Sequence, residues 1–301
     1  MRTFITSLTL TLTLVLTAQV DDMVSLNAGY SNQSFYSLEN GEVANVSNTD
    51  WDIAFMSTAL NSSILINDNI GTMLYSYGTD PSAWETVDTT GMAWEPLYNS
   101  ETSWERGAFM QLANEDNVFD YGWGEYNIIT HVVTGNRIFI IALSDGSYRK
   151  ILIEELDLGT YTFKYADLQG NVEVQETISG TDYSTKNFWY YSLQTGDVID
   201  REPAADSWDI TFTRYSSEIL PGANYIVSGV FQNQEVLASE ARTVEIDDAQ
   251  WTDQPMSEEM NIIGSDWKYF DMDIFQYVVE DSLSYFVQDR EGNVWHLWFT
   301  A

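Results

Sequence analysis

The sequence predicts an all-β protein built from two homologous antiparallel β domains in tandem. Three observations carry that expectation. A Tyr-Ser-Leu motif with a Gly turn and Val occurs twice, each time ahead of Trp-Asp-Ile. Apolar residues alternate at period two between Gly-containing turns, and no stretch sustains a 3.6-residue apolar period.

In chain order, Arg2 precedes an apolar, threonine-punctuated run from Phe4 to Leu16, then Thr17-Ala18-Gln19 and Asp21-Asp22. One basic residue, a short apolar run and a small residue before an acidic start read as a signal peptide over residues 1–18. The run is too short to cross ~30 Å of hydrocarbon. The mature chain is therefore expected to be exported, with no membrane span, and secreted or held at the cell surface or in the periplasm. The sequence holds no cysteine, so a lipidated N-terminal cysteine, disulfides, thiolate metal sites and a Cys nucleophile drop out.

Composition removes further classes. The formal charge is −34, with 12 Lys+Arg against 46 Asp+Glu. A surface this negative repels phosphate backbones and anionic lipid, so no nucleic-acid partner is expected. A 44% hydrophobic share with 11 Trp, 18 Tyr and 14 Phe is ample for packed cores. With His131 and His296 as the two histidines, mechanisms needing several fail. Asp247-Asp248 and Asp271-Met272-Asp273 lack the alternating ligands, Gly and closing Glu of a calcium loop. No carboxylate pair is singled out for catalysis, and an enzyme is not expected.

The repeat is collinear. Tyr36-Ser37-Leu38-Glu39-Asn40-Gly41-Glu42-Val43 returns as Tyr191-Ser192-Leu193-Gln194-Thr195-Gly196-Asp197-Val198, five of eight positions being identical. Trp51-Asp52-Ile53-Ala54-Phe55 and Trp208-Asp209-Ile210-Thr211-Phe212 follow, then Trp123 to Gly146 matches Trp267 to Gly292. The first half holds roughly 13 more residues between its second and third landmarks. The polar stretch from Ser179 to Ser184 separates the halves, giving domains over 19–183 and 184–301.

Each motif reads as β structure. The Gly of the first motif supplies the positive φ of a hairpin turn. Alternation in Trp-Asp-Ile-x-Phe places Trp51, Ile53 and Phe55 on one face and Asp52 on the other. Ile138 to Leu143 and Tyr148 to Ile153 form a hairpin about Ser144-Asp145-Gly146, with a counterpart from Ser284 to Phe299. Tyr161 to Tyr165 adds a strand to the first half, whereas the second lacks this closing strand. Ser257 to Ile262 reads as a single helical turn. Trp51 and Trp208 are expected in the core at equivalent places.

The order Tyr-x-Leu-x-x-Gly-x-Val, Trp-Asp-Ile-x-Phe, Trp-x-x-Phe/Tyr and a final hairpin resembles the HmuY-type haem-binding proteins, once per half. The resemblance implies an exported all-β protein that holds haem between two axial side chains, which makes haem the expected cofactor and iron acquisition the expected role. The implied partners are haem and a haem-carrying host protein or an outer-membrane receptor. By position, Met272 falls where the family has a ligand, and the first half has Ile128 there with His131 three residues on. Met256 and Met260 are the candidates for the second ligand, with Met272 and Met260 as the tentative iron pair, and Lys268 is the nearest cation for a propionate. Soft sulfur ligands favour ferrous iron. His296, aligned with Lys150, is a weaker candidate. The competing reading is a non-haem secreted β module that presents aromatic side chains to a sugar or protein ligand.

Overall fold

Gly41 and Gly196 adopt φ of 82° and 77°, and at both places the chain reverses into a two-stranded hairpin. These leading hairpins are Asn32–Ser37 with Gly41–Ser47, and Phe188–Ser192 with Asp197–Ile199. The computed structural model describes residues 19–58 and 61–300, so the signal peptide expected over 1–18 lies outside the described residues. The fold is all-β: the described residues form five sheets, every strand pair in them antiparallel, joined by loops and short 3₁₀ turns. Among the described residues no helix is long and apolar enough to cross a membrane.

The two leading hairpins do not pair within their own halves. The strand Asn32–Ser37 pairs with Ile210–Leu220, the Trp-Asp-Ile strand of the second half, with Tyr36 opposite Ile210. Reciprocally, Phe188–Ser192 pairs with Ile53–Met56 of the first half, with Tyr191 opposite Ile53. Since Tyr36 matches Tyr191 and Ile210 matches Ile53 in the repeat, the two registers are the same register. One sheet thus runs Ala223–Gln232, Ile210–Leu220, Asn32–Ser37, Gly41–Ser47, and the other Asp197–Ile199, Phe188–Ser192, Ile53–Met56, Ile64–Ile66. Both sheets cross the boundary at 183/184 that the repeat suggests.

The Trp-Asp-Ile motif makes this joint. Asp52 is fully buried, not on a solvent face, and its carboxylate accepts from the Leu193 N–H at 2.8 Å, Ser192 Oγ at 3.2 Å and Gln194 Nε2 at 3.0 Å. Asp209 does the same work across the other joint, accepting from the Leu38 N–H at 2.7 Å. Trp51 packs edge-on against Tyr190 at 4.9 Å, and Trp208 against Phe35 at 5.0 Å. Both indoles are buried, as expected. The first strand is buried on both faces, so Ile53 and Phe55 enter the main core while Trp51 packs with Ala54 and Met56.

The final hairpins also correspond. Ile138–Ala142 pairs with Tyr148–Asp157, and Leu283–Gln288 with Val294–Leu297. The first continues through Thr160–Asp167 and Val174–Ser179 into an eight-stranded sheet, and the second stops at three strands. Residues Ser257 to Ile262 form a bridge to Ala238 followed by turns, not a helical turn, because Ser257 is tied to the strand Leu237–Arg242 by two backbone hydrogen bonds.

Candidate binding cleft and seam cavity

The residues named from sequence are placed as follows. Met272 is 68% exposed at the tip of the hairpin formed by Lys268–Asp271 and Gln276–Val279. His131 is exposed at the corresponding tip, between Gly124–Asn127 and Val132–Gly135, with Nδ1 2.7 Å from the Tyr126 hydroxyl. The tips share one turn. Asn127 Oδ1 accepts from the N–H groups of Ile129 and Thr130, and Asp271 Oδ1 from those of Asp273 and Ile274. His131 and Phe275 then take φ of 62° and 55°. Ile129, Ile274 and Phe275 are among the exposed apolar side chains there.

Met260 lies elsewhere. It is buried against Tyr215 and Phe231. Met256 packs partly buried against Ala241 and Phe286. Lys268 lies over the Trp267 ring, 3.7 Å from its centroid, and donates to the Ser228 carbonyl; burial lowers its pKa to about 8. His296 stacks on Phe286 at 4.3 Å, and burial lowers its pKa. Met272 lines neither the cleft nor the cavity described below, and Met260 lines a cavity of only about 60 Å³. Neither the cleft nor the cavity brings Met272 together with Met256 or Met260.

What the fold does assemble lies on the two sides of Tyr215, a residue of the strand Ile210–Leu220. On the outer side is a cleft of about 520 Å³. Strand Leu237–Arg242 contributes Ser239 and Glu240 to it, the segment after that strand contributes Glu259 and Asp266, and the first half contributes Glu101. Arg242 pairs with Glu240 at 2.7 Å and Asp266 at 2.5 Å, while Glu101 accepts from Ser217 Oγ at 2.6 Å. Burial raises the Asp266 pKa above its ordinary value against the lowering charge of Arg242, and the Glu240 charge adds a smaller rise. Ser239, 2% exposed, has a hydroxyl with no partner.

On the inner side is the cavity of about 60 Å³. Trp51 and Tyr190 reach it from the first joint, Tyr215 and Phe231 from the opposite sheet, and Trp104 from the longer first-half segment. Trp104 is held there by its Nε1–H, which donates to the Gln232 carbonyl at 2.9 Å. Asp68 is the carboxylate of this cavity. It is 8% exposed and accepts from Asn99 Nδ2 at 3.0 Å and the Ser216 N–H at 3.4 Å, and burial raises its pKa to about 7. Nearby, Glu202 is also buried, accepting from the Tyr190 hydroxyl at 2.7 Å and the Asn187 N–H at 2.9 Å, with its pKa raised by burial to about 7.

Sequence reasoning missed Asp68, Glu202, Glu101 and Ser239. The one local signal for Asp68 is its place in Asn67-Asp68-Asn69 directly after the apolar run Ile64-Leu65-Ile66. The RtxA repeat family matches residues 122–138, the stretch that holds the His131 hairpin. No curated protein and no solved structure matches the chain.

Proposed function

We propose that this chain is an exported, non-catalytic binding protein whose outer cleft receives a positively charged ligand. The observation that supports this reading is the cleft itself: about 520 Å³, within the ordinary range of ligand pockets, with four carboxylates and one arginine around it. Arg242 offsets two of the four, so Glu101 and Glu259 remain to meet a cation, and the unpartnered Ser239 hydroxyl supplies a polar contact. The net charge of −34 steers cations toward such a surface and keeps anions away. An acidic, polar wall suits an ammonium or guanidinium group better than the apolar plate and two propionates of haem.

Calorimetric titration with spermidine at low and high salt tests this. Saturable binding is expected at low salt, weakening as salt screens the cleft, with about a tenfold loss in a Glu101→Gln/Glu259→Gln variant. Binding that is absent, or indifferent to that variant, overturns the reading.

Haem capture is the second reading. It is favoured by the motif order and by the two equivalent tips, where Met272 and His131 each stand exposed beside apolar side chains. A Soret change with defined stoichiometry on haem titration, lost in Met272→Ala, supports it; a featureless titration removes it.

A further inference from the structure

We propose that the cavity between the two four-stranded sheets is a binding site for a small organic ammonium group, held between the Asp68 carboxylate and aromatic walls. The inference goes beyond the cleft reading, because the inner cavity has its own charge and its own walls whether or not the outer cleft binds.

The charge is incomplete as the protein stands. Asp68 is buried, and the groups that meet its carboxylate, Asn99 Nδ2 and the Ser216 N–H, are neutral donors. A buried carboxylate is normally paired with a cation, since leaving it alone in low dielectric is costly. Arg214 borders the cavity, yet its guanidinium lies over the Tyr30 ring, 5.1 Å from the centroid. No ion pair to Asp68 exists among the described residues.

The walls select the kind of cation. A divalent metal wants several oxygen or nitrogen ligands, and no group of three His, Asp or Glu that could hold one exists among the described residues. Trp51, Trp104, Tyr190, Tyr215 and Phe231 instead present aromatic surface, which attracts a weakly hydrated organic cation. Two of these rings already meet a cation from within the chain, Arg201 lying 4.8 Å from the Tyr190 centroid and 5.6 Å from that of Trp51, which leaves Trp104, Tyr215 and Phe231 as the aromatic walls for a ligand. Size sets the limit. A cavity of ~150 Å³ admits benzene, so one of about 60 Å³ takes a group of a few heavy atoms, such as a singly or doubly methylated ammonium.

The test uses the whole chain and methylammonium chloride at pH 8, above the Asp68 pKa of about 7 so that the carboxylate is ionised, read by tryptophan fluorescence and calorimetry, since two indoles line the cavity. Equal concentrations of potassium chloride and of methanol separate charge and size from the organic cation. Saturable quenching is expected with methylammonium and dimethylammonium, falling off for tetramethylammonium, which is too large. Asp68→Asn should weaken binding by about tenfold or more, as loss of a charged hydrogen-bond partner does. That substitution is isosteric and removes a buried charge, so the variant folds and its loss reads the site. Glu85→Gln, an exposed carboxylate that lines neither the cavity nor the cleft, should leave methylammonium binding within about twofold. No saturable response, an equal response to potassium, or an unchanged response in Asp68→Asn overturns the proposal.

Discussion

The two joints are built from the same motif and differ in how completely they close. At the first, Asp52 is fully buried and three donors from the turn of the second leading hairpin converge on it. At the second, Asp209 is half-buried and receives one backbone donor, Leu38 N–H. Tyr190 carries a hydroxyl that reaches Glu202, whereas its counterpart Phe35 carries none. The aromatic cavity with Asp68 lies between the two sheets, lined by Trp51 and Tyr190 of the first joint and by Thr213, Tyr215 and Phe231 of the second joint's sheet. The comparison teaches that the motif residues are structural: their job is to lock each leading hairpin onto the opposite half.

The most drastic way to break the comparison is to separate the halves. Each supplies strands to both four-stranded sheets, so residues 19–183 and 184–301 expressed alone should each lack a partner for a buried strand and fail to fold. Mixing the two should restore a folded complex, seen by dispersed NMR signals. The intact chain should unfold in one transition for the same reason. Two independent transitions, or a folded first half on its own, would show that the exchange is not obligatory. Next in size are the indoles: Trp51→Ala and Trp208→Ala should each cost roughly 3–5 kcal/mol in chemical denaturation, because both remove a buried aromatic from an edge-on pair.

How much of this could be read in advance follows from what is local. The turn at Gly41, the hairpin about Ser144-Asp145-Gly146 and the strand at Tyr161 depend on neighbouring residues, and the chain makes all three. Which hairpin pairs with which Trp-Asp-Ile strand is non-local. Because both halves carry the same motif, pairing within a half and pairing across halves satisfy the sequence equally well. The burial of Asp52 hid for a related reason: period-two alternation assumes a solvent face, and this strand has core on both sides. Asp68 and Glu202 were lost among 46 acidic residues, since nothing in a carboxylate's type says it will be buried. Met260 shows the converse, a thioether named for its chemistry that the fold spends on packing.

The aspartates sharpen the comparison between joints. Asp52→Ala should cost about 2–4 kcal/mol and Asp209→Ala about 1–2 kcal/mol, because the first leaves more donors without an acceptor. Denaturant midpoints compare the two directly, and equal losses would erase the asymmetry argued above.

The pH dependence of stability probes the same neighbourhood. Burial raises Asp68 from 3.8 and Glu202 from 4.5, each to about 7. In the unfolded chain these groups ionise near their ordinary values, while in the folded protein they hold their protons up to about 7. The folded state therefore binds more protons across that window, so stability falls as pH rises from about 4 to about 7 and then levels. Asp68→Asn and Glu202→Gln should each flatten that fall, by roughly 3–4 kcal/mol between its ends. A thermal melting series across pH 4–8 in which neither variant changes the slope would show that these carboxyls titrate normally.

The smallest effect is expected at the tips, and its smallness is what makes it informative. Met272 is 68% exposed, so Met272→Ala should shift stability by less than about 0.5 kcal/mol. At His131, with φ of 62°, Asn is the substitution that tolerates the left-handed backbone, and the change removes an exposed bond to Tyr126. The two tips share a turn and a backbone conformation but differ in side chains, offering a thioether in one half and an imidazole in the other. With the fold undisturbed, any ligand-binding change in these variants belongs to the tip itself. If haem binds through one tip, the spectra will say which: loss in Met272→Ala with His131→Asn intact identifies the thioether, and the reverse identifies the imidazole. Haem binding unaltered in both would place it away from the tips, and a stability loss well above 0.5 kcal/mol in Met272→Ala would mean that this methionine is packed rather than presented.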